Sequence, residues 1–219
     1  MSNKLYHHPL SPYCRKVTLA LHEKGVTNVE HVVVNLMDPQ AKAKFTEEHN
    51  PLGKVPFLVL EDGWKIPESS IIIEWIDQHS DGRKLIPSDP DKARQARFFD
   101  RVSDLYLLEP AARNAIEPWL PEEMRSAQRV EANNQTILKA LKAHESGASK
   151  AKTDFILGDE FTFADISVTS ALGVIKDLKI SLNDFPTLAA YAERVHSRPS
   201  WQAWYKGAKP FIEKMQSGA

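Results

Sequence analysis

The sequence contains very little cysteine: Cys14 is the single one among 219 residues. A lone cysteine cannot form an internal disulfide, and no cysteine or histidine spacing typical of a zinc site accompanies it. No apolar run is long enough to cross a bilayer, and the first residues lack the apolar core of a secretion signal. We therefore expect a cytoplasmic protein without a metal, in a compartment that keeps the thiol reduced.

The chain also lacks an excess of charge of either sign. Its 28 basic and 29 acidic residues give a formal net charge of -1, so no bulk field attracts nucleic acid or an anionic membrane. No basic run interleaved with aromatic residues is present either. We expect no nucleic acid and no membrane among its partners.

Strand and helix patterns alternate in the first third of the chain. Turn and cap residues divide them into predicted strands at 4–6, 29–34, 55–60 and 64–66 and predicted helices at 12–24, 39–49 and from 69 onward. The β-branched run ending at Val34 predicts a strand buried on both faces. The order βαβαββα describes a small mixed sheet flanked by helices.

The composition changes after a turn-rich segment, and no strand-like alternation follows it. We divide the chain into a domain at 1–82, a linker at 83–88 and an all-helical domain at 89–219. The predicted helices of the second domain span 91–109, 121–147, 162–178, 186–196 and 201–214.

One candidate site begins at Ser11, directly before Pro12 and the first predicted helix. Serine suits the N-cap and proline the first helical position, where its missing N–H costs nothing. The unpaired N–H groups of a helix start attract anions, including thiolates. A Ser-Pro pair by itself is usually a simple helix cap, so both interpretations stay open here.

Two further motifs carry candidate binding groups. Pro56 begins a predicted strand and is a candidate for a cis peptide bond, which would leave the N–H and C=O groups of Val55 available to an extended peptide. Glu68 and Ser69 precede a helix and complement the ammonium and carboxylate of an amino-acid head group. An ordinary strand-entry proline and ordinary capping are the alternatives.

A capping box is predicted at Thr162 and Asp165, where the threonine bonds forward and the aspartate reaches back to the cap N–H. We assign this pair to folding rather than chemistry. Replacing Asp165 by alanine is expected to cost about 1 kcal/mol or somewhat more.

These four motifs, in this order, resemble the cytosolic glutathione S-transferase family over essentially the whole chain. The resemblance is greatest to the serine-type branches (theta-, phi-, tau- and zeta-like). It implies an α/β thioredoxin-like N-terminal domain, an all-α C-terminal domain, glutathione as cosubstrate and a cytoplasmic homodimer that serves detoxification.

The resemblance implies a role for each motif residue. Ser11 would donate a hydrogen bond to the glutathione sulfur and so stabilise the thiolate. The glutathione-binding residues would be Lys42, Lys54, Val55, Pro56, Glu68 and Ser69, of which Lys42 and Lys54 would approach the glycyl carboxylate. A small hydrophobic electrophile would bind in a pocket lined by Leu10, Tyr106, Arg113 and Trp119.

Four residues compete with Ser11 or complicate the assignment. Cys14 occupies the resolving position of a Cys-x-x-Cys pattern and is expected to be a packed, inert thiol; if exposed, its place in the first helical turn would lower its pKa. Tyr6 stands where tyrosine-type transferases carry their donor, but the Ser-Pro pair favours Ser11. His7 and His8 alternate across a strand and point apart, which argues against a metal site.

Three functional classes follow from these motifs. The first is a glutathione-conjugating transferase. The second is a glutathione-dependent isomerase, dehalogenase or peroxidase that uses the same thiolate. The third is a non-catalytic binding or regulatory module on the same fold.

Overall fold

The computed structural model describes residues 2–151 and 153–217. The chain forms two compact units: one combines the residues up to Arg83 with those from Pro199 onward, and the other is Lys84–Arg198. Each unit has its own buried apolar side chains, such as Leu5 and Ile72 in the first and Leu108 and Ile166 in the second.

The first unit contains the predicted βαβαββα order. Its elements are β1 (Asn3–His7), α1 (Pro12–Glu23), β2 (Val29–Val33), α2 (Pro39–Glu48), β3 (Phe57–Val59), β4 (Lys65–Pro67) and α3 (Ser69–Gln78). The sheet order is β2-β1-β3-β4, with β1 parallel to β2 and antiparallel to β3, and β3 antiparallel to β4. The predicted α/β thioredoxin-like fold is confirmed.

Local cap chemistry explains where the first two helices begin. Ser11 and Asp38 are N-caps with extended backbone, and each is followed by a proline in the first helical turn. The Asp38 carboxylate accepts a hydrogen bond of 2.9 Å from the N–H of Gln40. Because such bonds join residues two or three positions apart, the sequence alone predicts these boundaries.

The expectation for β2 is wrong. It lies at the edge of the sheet, and Val33 is 48% exposed rather than buried on both faces. A β-branched run favours extended backbone, but its burial depends on its neighbours in the sheet. β3 is also shorter than predicted and begins only at Phe57, because Pro56 has no N–H to contribute to a strand ladder.

The second unit is helical, as predicted. It contains α4 (Pro90–Ser103), α5 (Glu109–Ile116), α6 (Ala127–Ala151), α7 (Phe163–Asp177) and α8 (Pro186–His196). The capping box before α7 is present, and the Asp165 carboxylate accepts a 2.7 Å bond from the N–H of Thr162.

Two predicted helices of this unit differ in detail. The continuous helix at 91–109 is interrupted by a π-helical turn, Asp104–Leu108, in which the N–H of Glu109 bonds to the carbonyl of Asp104. Pro110 follows directly, and because proline cannot donate to the preceding turn, a wider turn accommodates it. Residues Glu122–Met124 form a separate 3₁₀ turn, so the helix expected from 121 begins at Ala127.

The last helix, α9 (Pro199–Ser217), is part of the first unit. The domain boundaries predicted from sequence assign this helix to the helical domain at 89–219. In the structure it packs against α1, where Ser200 Oγ donates to Glu23 Oε1 and the guanidinium of Arg15 lies over Trp204. Helical periodicity identifies an apolar face but does not identify the element that covers it.

Candidate functional site

The register of the sheet brings three of the predicted motifs to the same end of the sheet. Tyr6 pairs with Phe57, and Phe57 pairs with Pro67. Consequently the segment that leaves β1 toward Ser11, the segment that enters β3 and the segment that leaves β4 lie at the same end of the sheet. Of these two pairings, the one between β1 and β3 joins residues about 50 positions apart.

Ser11 caps α1 and is half-buried. Its Oγ accepts a hydrogen bond of 3.4 Å from the N–H of Cys14, and its carbonyl accepts one of 2.9 Å from the N–H of Arg15. Because Oγ acts as an acceptor in the cap, the hydroxyl retains its own hydrogen for donation. A hydroxyl donor and the positive end of a helix therefore coincide at this residue.

The loop before Ser11 is a tight turn organised by His8. The N–H of Ser11 bonds to the carbonyl of His8 at 3.0 Å, and the N–H of Leu10 bonds to His8 Nδ1 at 3.3 Å. Leu10 is half-buried in this loop. The position of the Ser11 hydroxyl therefore depends on the conformation of four consecutive residues.

Cys14 is a packed thiol, as the sequence analysis expects. It is 1% exposed, and burial raises its pKa to about 12, although the N–H of His8 donates a 3.4 Å hydrogen bond to Sγ, which acts in the opposite direction. The thiolate is the reactive form of cysteine, so Cys14 is not a nucleophile at neutral pH.

The Val55-Pro56 peptide bond is cis, which confirms that interpretation of the sequence. The preceding loop is held by Asn50, whose Nδ2 donates to the carbonyl of Lys54 at 2.8 Å. The side chain of Val55 packs against the cluster of Val34, Phe45 and Phe57. Sequence reasoning missed Asn50, for which its place directly before the Pro-Leu-Gly turn was the available signal.

The two predicted lysines lie near this loop. Lys54 is exposed immediately before Val55, and Lys42 is exposed on α2. A β-carbon built on Gly53 would lie 3.6 Å from Cε of Lys42, so the Lys42 side chain runs beside the residue that precedes Lys54. Two exposed lysines near this loop suit an anionic ligand group.

Glu68 and Ser69 lie where β4 meets α3. Glu68 has a backbone conformation of φ 70° and ψ 123°, which is costly for a residue with a β-carbon. Its side chain is exposed and makes no cap hydrogen bond to the helix. Ser69 is the first residue of α3 and is 4% exposed, so the unpaired N–H groups of this helix begin beside the Glu68 carboxylate.

The predicted electrophile pocket is not assembled within either unit. Leu10 belongs to the first unit, and the other three residues belong to the second. Tyr106 is exposed and lines a cleft of about 1290 Å³ with Phe98 and Phe99, but Arg113 and Trp119 lie outside this cleft. Arg113 forms an exposed ion pair of 2.6 Å with Glu109.

The remaining candidates have packing roles. The Tyr6 ring contacts Phe45 and His49 at centroid distances of 5.6 and 4.3 Å. His7 Nε2 and His31 Nδ1 are 3.3 Å apart, and burial, followed by the nearby His31 and His8, lowers the pKa of His7 to about 4. Within residues 2–151 and 153–217, no group of three or more potential ligands could hold a metal ion.

The chain matches two family descriptions. Residues 5–84 match "Glutathione S-transferase, N-terminal domain", and residues 110–207 match "Glutathione S-transferase, C-terminal domain". Among the described residues, none of the helices is both long and apolar enough to span a membrane.

Individual relatives match over nearly full length. Glutathione S-transferase F13 of Arabidopsis thaliana is 32% identical, over 92% of this chain and 94% of the relative. A probable maleylacetoacetate isomerase of Caenorhabditis elegans is 27% identical, over 96% and 97%. The crystal structure of a Methylobacillus flagellatus glutathione S-transferase with glutathione bound superposes with a TM-score of 0.82 at 29% identity, covering 93% of this chain and 98% of that one.

The fold and site define a thioredoxin-like domain with a cis-proline before its third strand, joined to an all-helical domain. The chain belongs to the glutathione S-transferase family. The prediction of an enzyme of this family is thereby confirmed.

Proposed function

We propose that this protein binds glutathione at the end of the sheet described above and activates its thiol for attack on a small hydrophobic electrophile. The observation that carries the proposal is the convergence of Ser11 with Val55 and Glu68 through the Tyr6–Phe57–Pro67 register. Val55 would pair its backbone with the cysteinyl part of glutathione. Glu68 and Ser69 would hold the γ-glutamyl group, and Lys42 and Lys54 would attract the glycyl carboxylate.

The chemistry required of Ser11 is modest. A free thiol has a pKa near 8.5 and is mostly protonated at neutral pH. A hydroxyl donor at a helix start favours the thiolate, and lowering the pKa by about two units requires roughly 2.7 kcal/mol of differential stabilisation. With an aryl halide, the sulfur forms a bond to carbon, the carbon–halogen bond breaks, and the halide and the thiol proton leave to solvent.

A glutathione-dependent isomerase is the second candidate. The relative named as a probable maleylacetoacetate isomerase matches almost the whole length of this chain, and the same thiolate would serve that reaction. A pocket contribution from Leu10, Tyr106, Arg113 and Trp119, a cytoplasmic location and a homodimeric assembly remain predictions of the family resemblance.

Two variants test the assignment of Ser11. Ser11→Ala should lower kcat/KM with chlorodinitrobenzene by about 100-fold, because one donor to the reacting charge is lost. It should still be retained on immobilised glutathione. Cys14→Ser is the matched control in the same helical turn and should keep activity close to that of the unmodified protein. Activity that depends on Cys14 and tolerates Ser11→Ala would overturn the proposal in favour of thiol–disulfide exchange.

A further inference from the structure

The C-terminal helix donates a hydrogen bond to the loop that carries Ser11. Trp204 Nε1 of α9 lies 3.2 Å from the carbonyl oxygen of Pro9, two residues before Ser11. The other hydrogen bonds of this turn join residues at most six positions apart: the N–H groups of Ser11 and Leu10 bond to groups of His8, and the N–H of His8 bonds to Cys14 Sγ. The indole therefore connects the turn to an element more than 190 positions away in the sequence.

The indole is itself held in place by its neighbours. Trp204 is buried, and the Arg15 guanidinium lies 4.0 Å from its ring centroid and 5.1 Å from that of Trp201. Arg15 belongs to the same helical turn as Ser11, because its N–H bonds to the Ser11 carbonyl at 2.9 Å. The cation–π contact thus fixes the Trp204 indole relative to α1, the helix that begins after Ser11.

A second contact joins α9 to this loop. The Phe211 ring meets the His8 ring edge-on at a centroid distance of 5.7 Å. His8 supplies the acceptors for the N–H groups of Ser11 and Leu10, so α9 restrains the loop at His8 and at Pro9. Rotation of the peptide that follows Pro9 would move Leu10 and then the Ser11 hydroxyl.

We propose that Trp204 is a positioning residue for Ser11. By holding the Pro9 carbonyl, its indole N–H fixes the turn that directs the Ser11 hydroxyl toward the glutathione sulfur. This inference rests on the proposed function of Ser11. Displacement of a reacting group by about 1 Å can cost a factor of about 100 in rate. Water can replace part of the hydrogen bond to the Pro9 carbonyl when the indole N–H is removed, so we expect a smaller loss of rate here.

The test removes the N–H and keeps the ring. Trp204→Phe does so genetically, and replacement of Trp204 by benzothienylalanine, which has sulfur in place of the N–H, preserves the bicyclic shape if phenylalanine packs too loosely. Ser200→Ala is the matched control, because it removes a hydrogen bond of α9 that is remote from Ser11, the one to Glu23, the last residue of α1. The readouts are the pH profile of kcat/KM and the ultraviolet absorbance of the bound thiolate, with thermal unfolding measured alongside.

With either change at Trp204, the pKa of the bound glutathione thiol should rise by about half a unit to one unit. Because the bound thiol is expected to have a pKa of about 6.5, the thiolate fraction at neutral pH, and kcat/KM with it, should then fall by about 1.5- to 3-fold, with KM for glutathione nearly unchanged. Ser200→Ala should lower the unfolding temperature and leave the thiol pKa where it was. An unchanged thiol pKa with benzothienylalanine would overturn the inference. Ser11→Ala is measured in parallel: if it leaves that pKa unaltered, the proposed role of Ser11 fails, and this result does not depend on Trp204.

Discussion

The phenolic hydroxyl of Tyr191 on α8 donates a 2.8 Å hydrogen bond to the carboxylate of Asp165 at the start of α7. The same carboxylate accepts bonds from the N–H of Ile156 at 2.9 Å and from the N–H and hydroxyl of Thr162 at 2.7 and 3.0 Å. Burial raises the pKa of Asp165, and these hydrogen bonds act against that shift. The capping residue is therefore the centre of a buried network that joins two helices and a loop.

Asp165→Ala should cost about 3 kcal/mol of unfolding free energy, more than the loss of a helix cap alone. The reason is that three buried donor groups besides the cap lose their acceptor. Tyr191→Phe, which removes one donor from the carboxylate, should cost about 1 kcal/mol. Urea unfolding of the two variants measures both values, and equal losses would contradict the network.

Glu68→Gly should make the protein more stable and less active. Removing the backbone strain at φ 70° should stabilise the folded protein by about 1–3 kcal/mol. The added freedom of glycine in the unfolded chain should destabilise the folded protein by about 0.4–1 kcal/mol. We expect a net gain of about 1 kcal/mol in unfolding free energy. Loss of a charged partner for the ammonium group should raise KM for glutathione by about 10-fold.

Glu68→Gln separates these two effects. It keeps the strained backbone and removes only the charge, so its unfolding free energy should stay near that of the unmodified protein while KM rises. If the glycine variant is less stable than the glutamine variant, positive φ is not a source of strain at this position.

The single thiol should resist alkylation in the folded protein. Cys14 is 1% exposed and its pKa is raised to about 12, so neither access nor thiolate is available to a maleimide at neutral pH. Mass spectrometry should show one adduct in denaturant and essentially none without it. Rapid modification of the folded protein, faster than its unfolding, would restore Cys14 as a redox candidate.

Mild acid should destabilise the protein through His7. The pKa of His7 is 6.5 as an ordinary value and about 4 in the folded protein, so the unfolded chain takes up a proton first as the pH falls. The contribution of neutral His7 to the unfolding free energy is therefore fully present above pH 6.5 and is lost as the pH falls from 6.5 toward about 4. The loss should be about 2 kcal/mol near pH 4.5.

Replacement of the titrating side chain tests this assignment. His7→Leu should flatten the decrease in unfolding free energy between about pH 7 and pH 4.5. A slope that persists in His7→Leu would assign the acid sensitivity to other groups.

Local chemistry explains which features could be predicted from sequence. The helix starts at Ser11, Asp38 and Thr162 depend on side chains that reach backbone groups two or three residues away. The element order of the first unit follows from periodicity and turn residues for the same reason. Such signals are present in any window of a few residues.

Features that depend on distant partners were missed or misjudged. The β2 run has the same composition at an edge as at the centre of a sheet, so its exposure follows from the strand order. Periodicity also does not reveal that α9 packs on α1, since an apolar face does not identify the element that covers it. The four donors of Asp165 include Ile156 and Tyr191, which lie nine and 26 positions away.

The amino-acid sequence specifies the chemical groups of this protein: a serine at a helix start, a proline before a short strand, an acidic residue before a second helix and one thiol. Which of these groups meet, and which are accessible for reaction, follows from the packing of the folded chain. Pairing of Tyr6 with Phe57 and of Phe57 with Pro67 brings the serine, proline and acidic motifs to one end of the sheet, and packing buries Cys14. The physical reason is that capping is a contact along the chain, whereas register and burial depend on residues that are distant in sequence and close only after folding.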